Sequence, residues 1–362
     1  IYTYAYEIYN YNRECFVIEV ILASIIMSLP LSFINIFGGD YSTMPISWFN
    51  VFILVGIIYL VFNLLISKNI KISLFSMYLL MFMFIIAIEI MRNIQDINSF
   101  FTIIVPLLLL FLLSVYSDLN INHVKLIELY LDVIIASCIS LIVQIIFYKF
   151  FNIKIGNVNA YSDRIAFSYL FSDFSFMSLF IGTGTSICIY KFINERKLIY
   201  LPLLFFTGYC SIITSARTGI VAVIITFFMI VLKNIRIKNM LIYIISIPVV
   251  FFLINSSIKL MEKLRGGQAL FDSSGRFETY YTAFQIFKDN IMLGIGIGIN
   301  SYVTYVSQNI SDGNLIIPHN FILQSLVQFG VLGFIILALI IFCVIKVSLK
   351  FKDKSMFFAF LT

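Results

Sequence analysis

Two arginines and a histidine carry the chemistry most legible in this chain, because each stands where its charge or its proton must be accounted for. Arg217 lies in Thr214-Ser215-Ala216-Arg217-Thr218-Gly219, a very short turn between two apolar runs. An uncompensated charge costs on the order of 2.5–3.5 kcal/mol at the centre of a membrane helix and less near the interface. Arg217 therefore either reaches into lipid headgroups or holds an anion, and the second reading is the stronger. Arg276 precedes Phe277, Tyr280, Tyr281, Phe284 and Phe287, whose spacing predicts an amphipathic helix over about 276–289 lying along a membrane surface. Asp272, Ser273 and Ser274 supply N-cap candidates. A helix dipole disfavours a cation in the first turn, so Arg276 makes sense if its guanidinium and the free backbone N–H groups share an anion. Pyrophosphate has the right chemistry, and a surface lipid phosphate is the plainer alternative. His319 follows Pro318, a residue favoured at the first helical position. The dipole there opposes protonation, leaving a neutral imidazole able to act as general base, although capping or packing is the commoner role of such a histidine.

The elements that must position these groups are membrane-spanning helices. The 362 residues are 61% hydrophobic and 12% charged, with a mean hydropathy of +1.02. A soluble domain carries about 25% charge. Apolar runs near the length needed to cross about 30 Å of hydrocarbon recur throughout. They cover Phe16–Phe37, Ile46–Ile66, Ile72–Met91, Phe100–Tyr116, Leu126–Phe151, Phe167–Phe192, Leu198–Ile213, Gly219–Leu232, Met240–Ile254 and Phe321–Val347, and an eleventh begins at Met356. Continuous rather than alternating hydrophobicity excludes a barrel. The expected class is all-α: one polytopic transmembrane domain over 1–362 with about eleven or more spans.

Basic residues set the orientation. Lys68 and Lys71, Lys125, Lys191 with Arg196 and Lys197, Lys233 with Arg236 and Lys238, and Lys346 to Lys354 fall on every second loop. Positive loops face the cytoplasm, which puts the long polar stretch 255–320 on the extracytoplasmic side. Arg92, Arg164 and Arg217 lie on that side too, against the bias. The net charge of +6 then follows from topology, and its dispersal over short loops argues against nucleic acid. Cys138, Cys188, Cys210 and Cys343 sit in apolar runs without metal spacing and read as packing residues. His123 reads as solvated, and Glu19, Glu89 and Asp132 as groups near an interface. Gly294, Gly296 and Gly298 follow no strand, so they read as a flexible or tightly packed turn rather than a nucleotide loop. No metal or cofactor is expected.

Taken in order, these residues resemble the O-antigen ligase/polymerase family of membrane glycosyltransferases. The resemblance runs through Thr214 to Gly219, Gly275-Arg276 with its aromatic helix, the glycine turn after Asn290, His319-Asn320, and Gly330-Val331-Leu332-Gly333. Arg164 followed by Ser172-Asp173-Phe174-Ser175 fits more loosely. Two positions depart from the pattern: Val221 stands where the family often has leucine, and Ile291 where proline is common. The resemblance implies a glycosyltransferase-C-like fold and a metal-independent, inverting transferase in the bacterial cytoplasmic (inner) membrane, with its site facing the periplasm or cell exterior. Arg217 and Arg276 would bind the pyrophosphate of an undecaprenyl-pyrophosphate-linked oligosaccharide, and His319 would deprotonate the acceptor hydroxyl. Arg164, Asn320, Arg265 and Tyr280 are further candidates for holding substrate. A polymerase of O-antigen or capsule repeat units is preferred to a ligase acting on lipid A core, with a chain-length regulator and a flippase of the same pathway as partners. A flippase or secondary transporter is the reading from another class, but such proteins show internal repeats and midplane polar groups, which this sequence lacks.

Overall fold

Chains that cross lipid must satisfy their backbone polar groups internally, so long apolar runs become helices. The computed structural model describes residues 16–36, 46–67, 72–92, 97–115, 121–160, 165–171, 173–214, 216, 218–219, 221, 223–224, 259, 276–310, 313–318 and 320–350. Among them are helices α1 (Phe16–Leu31), α2 (Trp48–Ser67), α3 (Leu74–Arg92), α4 (Ile97–Val115), α5 (His123–Phe151), α6 (Phe174–Glu195), α7 (Tyr200–Ile213), α8 (Arg276–Asp289), α9 (Ile299–Asn309) and α10 (Phe321–Ser348). A hairpin, β1 (Asn157–Ala160) and β2 (Ile165–Tyr169), separates α5 from α6 and departs from an all-α chain.

Five of these helices are long and apolar enough to span a bilayer: α2, α3, α5, α6 and α10; α1, α7 and the part of α4 from Ile103 to Val115 are shorter apolar helices. The eighth, ninth and eleventh expected segments lie wholly or mostly outside the described residues. On α2, Leu54, Ile58, Val61, Phe62 and Leu65 form an exposed stripe. A wholly apolar exposed stripe of that length is at home against lipid rather than water.

The chain divides into two units. One comprises Ile1–Ile25, Asn35–Ile121 and Ser273–Val347. In it, Ile18 and Ile25 of α1 pack with Ile53, Ile57 and Leu60 of α2 and with Leu109 and Leu112 of α4. Leu79, Phe82 and Ile86 of α3 pack with Phe329 and Ile340 of α10, and the Phe82 and Phe329 rings meet edge to face at 5.2 Å. The other unit comprises Ile26–Ile34, Asn122–Asp272 and Ser348–Thr362. Its core joins Ile134, Cys138 and Leu141 of α5 to Phe167 and Phe171, to Met177 and Ile181 of α6, and to Cys210 of α7.

Two expectations need correction here. The sixth apolar run does not start at Phe167 as a helix: Phe167 to Tyr169 belong to β2, and α6 begins at Phe174 with Asp173 as N-cap, its Oδ1 accepting from Ser175 N. The run is apolar at both ends because β2 is buried through Ala166, Phe167 and Ser168, and burial alone does not distinguish a strand from a helix. Lys191 is not a loop residue. It lies within α6 at 2% exposure, with Nζ 3.9 Å from Glu128 Oε1, 3.7 Å from Glu195 Oε1 and 5.5 Å above the Tyr200 ring. Glu89 is buried in α3 at 1% exposure.

Candidate active site

Arg164, Arg217, Arg265 and His319 lie outside the described residues; the structure describes Arg276, Tyr280 and Asn320, the residues on either side of Arg217 and of His319, and the residue that follows Arg164. In the second unit, the turn that carries Arg217 is built on α6 and α7. Ser178 and Ser211 hydroxyls lie 3.0 Å apart, and Ser211 Oγ donates to Ser178 O at 3.2 Å. Thr214 Oγ1 donates to Ser211 O at 2.7 Å and accepts from Ala216 N at 3.4 Å. Each hydroxyl thus finds a protein partner, as burial demands. Gly219 approaches α6 so closely that a Cβ would run into the Ser178 hydroxyl and carbonyl. The backbone path on both sides of Arg217 is therefore set by packing against α6.

The hairpin is pinned to the same unit by one buried amide. Gln144 of α5 has no exposed surface; its Nε2 donates to Ile155 O at 2.6 Å and Asn157 O at 2.9 Å, and its Oε1 accepts from Tyr169 N at 3.0 Å. Asn157 Nδ2 donates to Phe171 O at 2.8 Å. The strands pair Ala160 with Ile165, and Arg164 belongs to the connection between them. Ala166, Phe174 and Ala216 are buried together. The structure thus joins the chain next to Arg217 to the chain next to Arg164. Gln144 was missed by sequence reading; a lone amide within Leu141-Ile142-Val143-Gln144-Ile145-Ile146 was the signal, since a polar group there needs partners.

In the first unit, α8 begins at Arg276, which is exposed. Thr279, Thr282, Ala283 and Ile286 are buried, whereas Phe277, Tyr281 and Phe284 are 76%, 66% and 47% exposed. The inward face thus joins two hydroxyls to Ala283 and Ile286, and the outward face sets three aromatics beside Arg276, Glu278, Lys288 and Asp289. The inward hydroxyls are satisfied locally. Thr279 Oγ1 donates to Arg276 O at 2.8 Å, and Thr282 Oγ1 donates to Glu278 O at 3.0 Å while accepting from Asn314 N at 3.2 Å. Tyr280 is half-buried, between the two faces.

Behind α8, Ala283 and Ile286 share a core with Ile295, with Tyr302 and Val306 of α9, and with Val327, flanked by Ile317 and Leu323. This cluster brings the helix carrying Arg276 together with the segments on both sides of His319. Burial pushes the Tyr302 phenol up to about 12, so it stays protonated and donates to Asn314 O at 3.4 Å. The glycine turn is the packed one of the two forms expected. Gly294 has φ 74°; Ile295 N donates to Val327 O at 2.9 Å and Gly296 N to Gln328 O at 3.1 Å. Opposite it, α10 breaks at Gly330, with φ 63° and ψ −169°, and Val331 N donates to Ile291 O at 2.8 Å. A Cβ on Gly294 would stand 2.6 Å from Val327 O, and one on Gly330 would collide with the Met292 carbonyl. Gly294 makes room for the backbone of Val327 and Gln328, and Gly330 for that of Met292 and Leu293.

Pro318 is not at the first helical position. α10 starts at Phe321, and Asn320 caps it: its Oδ1 accepts from Leu323 N at 3.1 Å and its carbonyl from Gln324 N at 2.8 Å. Asparagine is among the strongest N-cap residues, so it takes the boundary from the proline. His319 consequently precedes the cap, and the Asn320 side-chain oxygen is committed to the helix.

No curated protein matches the chain. Residues 202–338 match the family model described as O-antigen ligase, an interval that contains Arg217, Arg265, Arg276, Tyr280, His319 and Asn320 and leaves Arg164 outside. With its long apolar helices, the chain is accordingly a bacterial membrane protein, similar over that interval to the O-antigen ligase/polymerase family.

Proposed function

We propose that the chain is an inverting, metal-independent glycosyltransferase that joins polyprenyl-pyrophosphate-linked repeat units into O-antigen or capsular polysaccharide. In this reading it spans the cytoplasmic membrane about eleven times and works at its outer face. Arg217 and Arg276 hold the donor pyrophosphate, guanidinium groups being permanently charged and able to bind phosphate oxygens in pairs. His319 takes the proton of an acceptor sugar hydroxyl as its oxygen attacks the anomeric carbon. The bond from that carbon to the pyrophosphate oxygen breaks on the opposite side, and the polyprenyl pyrophosphate leaves with the electron pair, stabilised by the two arginines. Arg164, Arg265 and Tyr280 serve substrate binding, and the exposed aromatic stripe of α8 rests in the interface, where amphipathic rings are favoured. The observation that carries this reading is that one matched interval contains both arginines and the histidine, with α8 and the flanks of His319 packed in one core.

The test is complementation of a polymerase-deficient bacterium, with surface-glycan length read on a gel. Arg217→Ala, Arg276→Ala and His319→Ala should each abolish long chains at unchanged membrane levels; full ladders from all three would refute the assignment. A second reading, transfer of finished glycan to lipid A core, is favoured by the matched family's description as ligase. It predicts rescue of a ligase-deficient host and none of a polymerase-deficient one.

A further inference from the structure

Between the flank of α8 and the C-terminal end of α9 lies a cleft of about 670 Å³, within the roughly 300–1,000 Å³ range of small-molecule sites. We infer that this cleft is a saccharide subsite, holding a sugar of the growing glycan by stacking on Tyr281 and by hydrogen bonds to Gln285, Asp289 and Asn309. The inference rests on the glycan-transfer reading above and adds to it a place for the sugars away from the pyrophosphate.

Its lining has the chemistry that recognises polyols. Tyr281 is exposed at the boundary between the aromatic stripe and the cleft, so its ring offers an apolar face to the C–H face of a pyranose and its hydroxyl a polar edge. Gln285 and Asp289 stand one turn apart on α8, where i and i+4 side chains meet, and neither side chain has a partner among the described residues. A carboxylate accepts from two neighbouring hydroxyls, and an amide both donates and accepts, so the pair suits a vicinal diol. Asn309 spends its Nδ2 on Tyr305 O at 2.9 Å, which leaves Oδ1 as an acceptor facing ligand or water. Other ligand classes fit less well. Asp289 repels a phosphate, and the one lysine in the lining, Lys288, holds its Nζ 4.7 Å from the Phe284 ring centroid. An acyl or prenyl chain would strand the carboxylate and two amides without water, at a cost of order 1–3 kcal/mol for each group. The cleft floor is fixed rather than adaptable: Thr282 bonds Asn314 N, and α8 and α9 share the Ile286–Tyr302–Val306 core.

The test uses the full chain in phosphatidylethanolamine nanodiscs, free of glycoside detergent. The probes are repeat-unit oligosaccharides released by mild acid from the source bacterium's surface polysaccharide, and binding is read by saturation-transfer NMR. Wild type should transfer saturation to the sugar protons, and Tyr281→Ala and Asp289→Asn should each weaken binding at least ten-fold. Asp289→Asn is isosteric at an exposed helix end, so it keeps the comparison valid should Tyr281→Ala fold poorly. No transfer with wild type, or equal transfer with both variants, overturns the subsite. Binding that persists in a chain unable to complement either glycan-transfer defect sustains the subsite and refutes the transferase reading; complementation without binding does the reverse.

Discussion

At the scale of single residues, the site's chemistry depends on side chains that the surrounding backbone holds in place. Asn320, expected to touch substrate, also has a structural task, because its side-chain oxygen satisfies Leu323 N at the start of α10. Asn320→Ala should therefore cost about 1 kcal/mol, the usual loss for an N-cap, and Asn320→Asp should retain most of it. Thermal unfolding of the purified chain in lipid checks both. A direct role in substrate binding would instead show as lost activity at unchanged stability. Lys191 makes the complementary point. Its charge is buried but not isolated, since two glutamates and the Tyr200 ring surround it, whereas the sequence placed it on a loop.

At the scale of elements, two devices position the site. The first is the interlock of the glycine turn with the break in α10. Gly330→Ala would force a Cβ into the Met292 carbonyl at a backbone conformation that L residues avoid. It should destabilise the chain by several kcal/mol, roughly the cost of combining strain with overpacking, whereas alanine at Leu332, an exposed position on the same helix, should change little. A thermal-shift comparison of the two variants measures the difference. The second device is Gln144, which holds the hairpin to α5 through three hydrogen bonds. Gln144→Leu keeps the volume but removes the Gln144 bonds to Ile155 O and Tyr169 N, each worth about 1–3 kcal/mol when buried, and leaves Asn157 O with the 3.4 Å bond from Ser168 Oγ. Amide exchange of Asn157 and Tyr169 should accelerate while that of α6 is unchanged; equal protection in the variant would show that the hairpin holds itself.

At the scale of the whole molecule, the proposed topology makes a simple demand. Lys197 and Ser307 are both exposed, and the alternation of basic loops puts them on opposite sides of the membrane. In a cysteine-free background, Lys197→Cys should react with a membrane-impermeant maleimide only after the membrane is opened, and Ser307→Cys in intact cells. Labelling of both from one side would break the eleven-span arrangement and with it the outer placement of Arg276.

The sequence by itself determined that the chain lives in lipid, because 61% hydrophobic residues arranged in spanning-length runs leave no other surrounding. It also located α8: aromatic residues at helical spacing predict a helix over about 276–289, and one runs from Arg276 to Asp289. Periodicity and composition are local properties, so they survive being read along a line. Which face of α8 turns inward, what Gly294 and Gly330 make room for, and why Phe167 is a strand residue while Phe174 begins a helix were decided by contacts between residues far apart in the chain. Those contacts include the reach of Gln144 to the hairpin and of Val327 to the glycine turn, and no local pattern encodes a partner tens of positions away.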